Sequence, residues 1–211
     1  MSTTLLRIDA SIRREGSVSR GVADTFESEI HATDVVRRDL GAQPLPSTAW
    51  PLAVGLQGEP GGTEQREASA LATQLADELV GADALVLAAP LYNFGVPASV
   101  KAWIDLVLTD SRFAPGTTSP ILGRPAFLVV ARGGGYGEGT PREGWDHATG
   151  YLRRILADVW GLDLHVIEAE LTLAEVTPGM EGLRDLARQN LEAAHDSARA
   201  AGRTLTSVGA A

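Results

Sequence analysis

The chain is predicted to fold as an α/β protein, a doubly wound, three-layer structure with helices on both faces of a five-stranded parallel sheet. Three observations lead there. Five short strand-like segments alternate with stretches of helical periodicity, the pattern of parallel strands joined by crossover helices. Two of those segments, 84–89 and 126–131, are continuously apolar, as strands covered on both faces must be. The first of these two ends abruptly in Pro90-Leu91-Tyr92-Asn93-Phe94-Gly95-Val96-Pro97. That is a tight loop at the carboxyl end of a strand, where open α/β sheets bind ligands.

The elements follow in order. Residues 4–9 (TLLRID) form the first strand. A helix over 17–31 carries Val18, Val22, Phe26 and Ile30 four residues apart. Val35 and Val36 lie in a short second strand ending in Arg37-Arg38-Asp39. A Pro/Gly-rich segment runs from Gly41 to Gly62, long for a loop in a compact domain. Thr63, with Glu64 and Gln65 behind it, is the expected N-cap of a helix carrying Leu71, Leu75 and Leu79 and stopped by Gly81. The third strand is 84–89. A helix opens at Pro97, a favoured first-turn residue, and presents Val100, Ile104 and Val107. The fourth strand, 126–131, is followed by a glycine-rich loop and a helix near 145–160. The fifth is 163–169, and an Ala-rich helix fills 180–201. Five strands in this alternation take the flavodoxin-like order 2-1-3-4-5. No repeat or boundary divides residues 1–211, so one domain is expected.

Composition excludes several classes of function. The 211 residues include no cysteine, which removes disulfides, thiolate catalysis and cysteine-held metal. The net charge is −9, with 27 carboxylates against 18 Lys and Arg and no basic block, so nucleic acid is not an expected partner. The N-terminal MSTTLLRID has no charged start and long apolar core. No apolar run nears the ~20 residues that span a bilayer. A cytoplasmic protein, away from membranes, is expected.

Three loops carry the chemistry. The first strand ends at Asp9-Ala10-Ser11-Ile12-Arg13-Arg14-Glu15-Gly16-Ser17-Val18-Ser19. Its hydroxyls at 11, 17 and 19 flank the start of a helix, whose free N–H groups and positive dipole end attract an anion. The equally weighted alternative is that Ser17 or Ser19 only caps that helix. Tyr92 and Phe94 offer flat apolar surface and Asn93 polar contacts, suited to a flat heteroaromatic ring. Arg132-Gly133-Gly134-Gly135-Tyr136-Gly137-Glu138-Gly139 follows the fourth strand, and its consecutive glycines admit a ligand edge close to the backbone. It is not a dinucleotide fingerprint, because the G-x-G-x-x-G spacing is absent. In the order 2-1-3-4-5 these three loops share one crevice.

The remaining residues read as structural. There is no G-x-S-x-G elbow. His31, His147, His165 and His195 lack metal-ligand spacing. Asp146-His147 follows the glycine loop and carries slight weight as pocket lining. Trp103, Trp145 and Trp160 are expected on helices in packing or interface roles, Trp50 as a cover over a site, and Lys101–Asp105 as a helical ion pair.

Over nearly its whole length the chain resembles the FMN-dependent NADH:quinone oxidoreductase/azoreductase family of flavodoxin-like proteins. The most specific stretch is Pro90-Leu91-Tyr92-Asn93-Phe94 with the following Lys101-Ala102-Trp103-Ile104-Asp105, joined by Arg38-Asp39-Leu40 and Pro44-Leu45-Pro46. The resemblance places the FMN phosphate at Ser11 and Ser17-Val18-Ser19. It places the isoalloxazine ring at Leu91 to Phe94 and the ring's pyrimidine edge at Ala131-Arg132-Gly133-Gly134, and Pro90 and Tyr136 are further candidates for cofactor binding. Ala131 stands where the family often has serine, and the loop after Gly134 is unusually rich in glycine.

The resemblance implies a two-step cycle in which NADH or NADPH gives hydride to flavin N5, leaves, and is replaced by a quinone, azo compound or other flat aromatic acceptor. The Gly133 and Gly134 amides would stabilise charge near N1, the Asn93 backbone would address N5, and no catalytic side chain is required. It also implies a homodimer with FMN at the interface, built on the helix from Pro97 and the 41–62 loop, with Trp50 or Trp103 reaching the partner's site. A second reading is a flavodoxin-type electron carrier, although the tight Ser/Thr-Gly-Thr phosphate loop is missing and the 41–62 segment is extra. A third is a flavin-dependent tailoring reductase of secondary metabolism, in keeping with the Ala/Gly/Arg-rich composition.

Overall fold

In the computed structural model, which describes residues 3–30, 34–114 and 116–208, five parallel strands form one sheet in the order β2-β1-β3-β4-β5. They are β1 (Thr4–Asp9), β2 (Asp34–Asp39), β3 (Ala84–Pro90), β4 (Pro125–Ala131) and β5 (Asp163–Ala169). The helices are α1 (Val18–Glu29), α2 (Ala49–Ala53), α3 (Thr63–Gly81), α4 (Ala98–Val107), α5 (Thr149–Arg153) and α6 (Arg184–Val208). None is long and apolar enough to cross a membrane. His31 lies outside the described residues.

Side-chain alternation along the strands builds two separate cores. In β3, Leu85, Leu87 and Ala89 face one side, where Leu6, Ile8, Leu128 and Val130 join Leu75, Ile104 and Leu156 from the helices. Ala84, Val86 and Ala88 face the other, with Leu5, Phe127 and Val129 against Val22 and Phe26 of α1 and Ala194 and Ala198 of α6. Period-two alternation thus serves both faces, and every residue of β3 is buried.

The interior strand β1 also buries Arg7 and Asp9. Arg7 Nε bonds Asp9 at 3.0 Å, and its Nη1 reaches Glu27 at 2.9 Å and Asp24 at 2.6 Å. Burial opposes the Arg7 charge, but these carboxylates outweigh it and hold the guanidinium ionised.

Several sequence expectations are corrected. The 41–62 segment is not all loop, because Ala49–Ala53 forms α2. Gly62, not Thr63, is the N-cap of α3, without a side-chain cap bond. The helix expected near 145–160 starts only at Thr149 and continues from Arg154 to Val159 as π-helix. α6 runs later than expected, to Val208. Trp145 is half-exposed and sits before α5 rather than on a helix. Trp103 cannot reach a partner's site: it is fully buried, its ring edge-on to Trp160 at 5.4 Å. The α4 periodicity that suggested an interface is satisfied inside the core, where Val100, Trp103, Ile104 and Val107 are buried.

Candidate functional site

The loops after β1, β3 and β4 meet at the carboxyl edge of the sheet around a cleft of about 340 Å³, within the ~300–1,000 Å³ of small-molecule sites. Ser11, Ser17, Val18 and Ser19 line one part, Pro90, Leu91, Tyr92, Asn93 and Phe94 another, and Ala131, Gly133 and Tyr136 a third.

The first loop is held from behind. Arg20 on α1 donates from Nη2 to the Ser11 carbonyl at 2.7 Å and to Asp39 at 2.6 Å. The Arg20 hydrogen bond leads the effects that hold the Asp39 carboxyl below its usual pKa. Gly41 passes so close that a Cβ there would stand 2.0 Å from the Ser11 carbonyl oxygen. No side chain fits, so this glycine sets the path of the Ser11 loop. At the start of α1 the Ser17 hydroxyl accepts from the Arg20 amide at 3.4 Å, so Ser17 is a cap. Its hydroxyl also lies 3.4 Å from that of buried Ser19. The Val18 and Ser19 amides have no acceptor among the described residues, as expected of first-turn donors.

The second loop is a strained turn. Asn93 and Phe94 both have left-handed backbones, φ 49° and 67°. For Phe94 this costs about 1–2 kcal/mol. The Gly95 amide closes the turn on the Tyr92 carbonyl at 2.9 Å, and the His147 amide donates to the Phe94 carbonyl at 2.9 Å. The Tyr92 hydroxyl accepts from the Ile12 amide at 3.2 Å and lies 3.4 Å from Ser11 Oγ. One tyrosine therefore joins the serine loop to the aromatic turn. Backbone strain held in place at a cleft is a common mark of function.

The third loop contains a correction. Arg132 does not present its side chain to the cleft. It is buried, pairing with Asp146 at 2.8 Å, Glu168 at 2.7 Å and Glu170 at 2.9 Å, and bonding the Thr149 hydroxyl at 3.0 Å. The Nε–Asp146 contact is close but out of line, an ion pair rather than a hydrogen bond. Burial would lower the Arg132 pKa, yet Glu168, Asp146 and Glu170 more than offset it. Asp146 is likewise committed to structure, accepting from the Ala148 and Thr149 amides at 2.9 Å and the Thr149 hydroxyl at 2.7 Å. His147 contributes its backbone to the Phe94 turn. Gly134 is not in the lining either, because the Arg142 side chain lies over it. The Gly133 and Gly134 amides have no acceptor among the described residues.

The sequence reading missed five lining residues: Arg13, Gly16, Arg142, Thr172 and Leu173. Thr172 and Leu173 come from the segment after β5. Leu171 there is left-handed at φ 60°, and the amides of Leu171, Thr172 and Leu173 donate to the carbonyls of Gly134, Arg132 and Gly133. A Cβ on Gly133 would meet Leu173 Cδ1 at 2.7 Å. Nothing periodic marks that crossing in the sequence. Among the described residues no group of His, Asp and Glu is arranged to hold a metal. His195 bonds Thr25 at 2.8 Å, His165 stacks on Phe127, and Lys101 pairs with Asp105 at 2.5 Å.

Residues 3–193 match the flavodoxin-like fold family. An FMN-dependent NADH:quinone oxidoreductase of Kineococcus radiotolerans is 37% identical over 210 residues, covering 95% of this chain and 99% of the relative. One of Streptomyces avermitilis is 37% identical over 209 residues, with 96% of each chain covered. The crystal structure of azoreductase from Bacillus anthracis str. Sterne superposes with a TM-score of 0.74 at 23% identity, covering 96% of this chain and 99% of that one, a likeness of fold. The chain thus belongs to the flavodoxin-like fold family and, within it, to the FMN-dependent NADH:quinone oxidoreductases.

Proposed function

We propose that the chain works as one FMN-binding domain over residues 1–211 and reduces quinones, azo compounds or related flat aromatic acceptors with NADH or NADPH in a ping-pong cycle. The observation that carries this is the convergence of three loops on one cleft with unengaged amide donors at two of them. At the start of α1, the Val18 and Ser19 amides and the Ser17 and Ser19 hydroxyls make a site for one phosphate. Across the cleft, the Gly133 amide suits the pyrimidine edge of a flavin, where negative charge gathers on reduction, with the Gly134 amide behind it under Arg142. Between them Tyr92, Asn93 and Phe94 give a flat wall.

When bound, FMN supplies hydride acceptance at N5 and two-electron transfer to the acceptor. The protein orients and shields. The left-handed Asn93–Phe94 backbone turns the aromatic wall toward the cleft, and the His147 amide and the Tyr92 hydroxyl keep it there. No cysteine or side-chain base is needed. Heat-released ligand is expected to run as FMN, not FAD, because one helix start offers one phosphate site. Absence of flavin after reconstitution refutes the proposal. Steady-state turnover of NAD(P)H with a quinone separates an enzyme from an electron carrier.

Phe94 is 39% exposed, so Phe94→Ala is expected to keep the fold while weakening flavin retention or acceptor turnover. Tyr92→Ala should act alike, since its hydroxyl joins two of the loops. Loss of folding without a selective effect on flavin would assign both residues to packing.

The working unit is proposed to be a homodimer. Trp50, Val54 and Leu56, on or just after α2, are exposed at 43%, 40% and 72%, and apolar surface of this kind marks an interface. Sedimentation at micromolar concentration should give twice the chain mass, and a fully active monomer overturns this part.

A further inference from the structure

Among the described residues, the charged side chains lining the cleft are Arg13 and Arg142, both cationic in a chain of net charge −9. Arg13 lies on the serine side, beside the proposed phosphate site. Arg142 lies on the glycine side, where the proposed cofactor offers no phosphate. Its guanidinium carbon sits 5.9 Å over the Tyr136 ring. Its Nη1 is 2.5 Å from where a Cβ on Gly134 would stand. The missing side chain at 134 is thus the space that the guanidinium fills.

No carboxylate among the described residues pairs with Arg142, Glu138 of the same loop included. Arg132 holds Asp146, Glu168 and Glu170 behind the cleft, and Glu143 accepts the Gly139 amide at 2.8 Å. Arg142 is left with the face of Tyr136 as its contact, an arrangement that orients a guanidinium without neutralising it. Tyr136 lies 6.5 Å from Phe94, which meets Trp145 edge-on at 5.4 Å. An aromatic wall therefore ends in an unpaired cation over a ring, the complement of a flat apolar body with an acidic substituent.

Resting on the proposed function above, we infer that Arg142 determines specificity by anchoring an anionic group of the substrate that lies against Phe94 and Tyr136. The group is a carboxylate or sulfonate on a flat acceptor, or a phosphate of the nicotinamide dinucleotide. Arginine serves better than lysine, because its planar fork presents paired donors to one anionic group.

The test compares R142Q and R142K with the unaltered holoenzyme, using 1,4-naphthoquinone and its 2-sulfonate as acceptors and NADH and NADPH as donors. Each variant is referred to the parent for the same substrate, which cancels intrinsic reactivity. R142Q is expected to raise KM for the sulfonate about tenfold more than for the uncharged quinone, the size of one charge-assisted contact in an open cleft, with R142K restoring part. A selective rise for NADPH over NADH would support the inference with the dinucleotide as source of the anion. Calorimetric titration of the purified protein with naphthalene-2-sulfonate and naphthalene-2-sulfonamide reads the contact without turnover. Equal effects of R142Q on charged and uncharged ligands, or none, overturn the inference. Absence of FMN refutes the proposed function, and the calorimetric comparison then still decides the role of Arg142.

Discussion

Replacing Ser17 and Ser19 together by alanine is expected to weaken FMN binding about 100-fold while riboflavin binding hardly changes. A hydrogen bond to a charged group is worth ~1.5–3 kcal/mol. Losing two at the lower figure removes about 3 kcal/mol, or roughly two decades of affinity. The structure adds a complication that the comparison with riboflavin resolves. Ser17 also caps α1 through the Arg20 amide, and a lost cap costs about 0.5–2 kcal/mol of stability. Ser19 is buried with its hydroxyl beside that of Ser17, so both changes loosen the first turn. A loosened turn weakens every ligand of the cleft, whereas a lost phosphate contact weakens only the phosphorylated one. Equal losses for FMN and riboflavin would leave the serines as helix caps and move the phosphate elsewhere.

The second large effect is expected at Arg132. Arg132→Met should lower stability by about 3 kcal/mol, the low end for removing one partner of a buried ion pair, since Glu168 is 45% exposed and water screens it. For a chain of this size that is a fall of roughly 6–12 °C in Tm. The loss should depend on pH with a definite sign. Burial alone would raise the Asp146 pKa, but the Thr149 hydroxyl and amide, the Ala148 amide and the Arg132 charge bring it below the ordinary 3.8. A carboxyl with a lowered folded pKa stabilises the fold above its unfolded pKa and loses that contribution as pH falls through the folded value. The gap between wild type and Arg132→Met should therefore be full near neutrality and narrow below about pH 4. Melting curves across that range check it. A shift under about 2 °C at pH 7 would mean that the four charges behave as a surface network. The change should also disturb the cleft, because Glu170 accepts the Tyr136 amide at 3.1 Å and Asp146 sets the start of α5.

The strand set and much of the cleft lining were legible in the sequence for a physical reason. A strand buried on both faces is a continuous apolar run, and the loop that leaves it is marked by Pro, Gly and aromatics. Thr4–Asp9 and Asp163–Ala169 match their expected bounds, and β3 and β4 each differ by one residue. Helix ends were less legible, because a cap depends on backbone angles. Thr63 had the residue type of an N-cap, yet Gly62 adopts the extended conformation there.

By itself, then, the sequence determined the parallel α/β sheet, its strand order and the three loops that share the carboxyl edge, since periodicity and loop chemistry are local properties of the chain. The direction and partners of individual side chains were decided only by the tertiary structure. Arg132 looked like a ligand contact beside glycines, but Asp146, Glu168 and Glu170, 14 to 38 residues further along, draw it inward. Trp103 looked free to reach a neighbour, but Trp160 packs it into the core. Arg142, set in an unremarkable turn, became the cation on the glycine side of the cleft because Gly134 leaves room for it and Tyr136 lies beneath it. Charges and rings are placed by whatever lies opposite them in space, and that pairing is not written in any local stretch of residues.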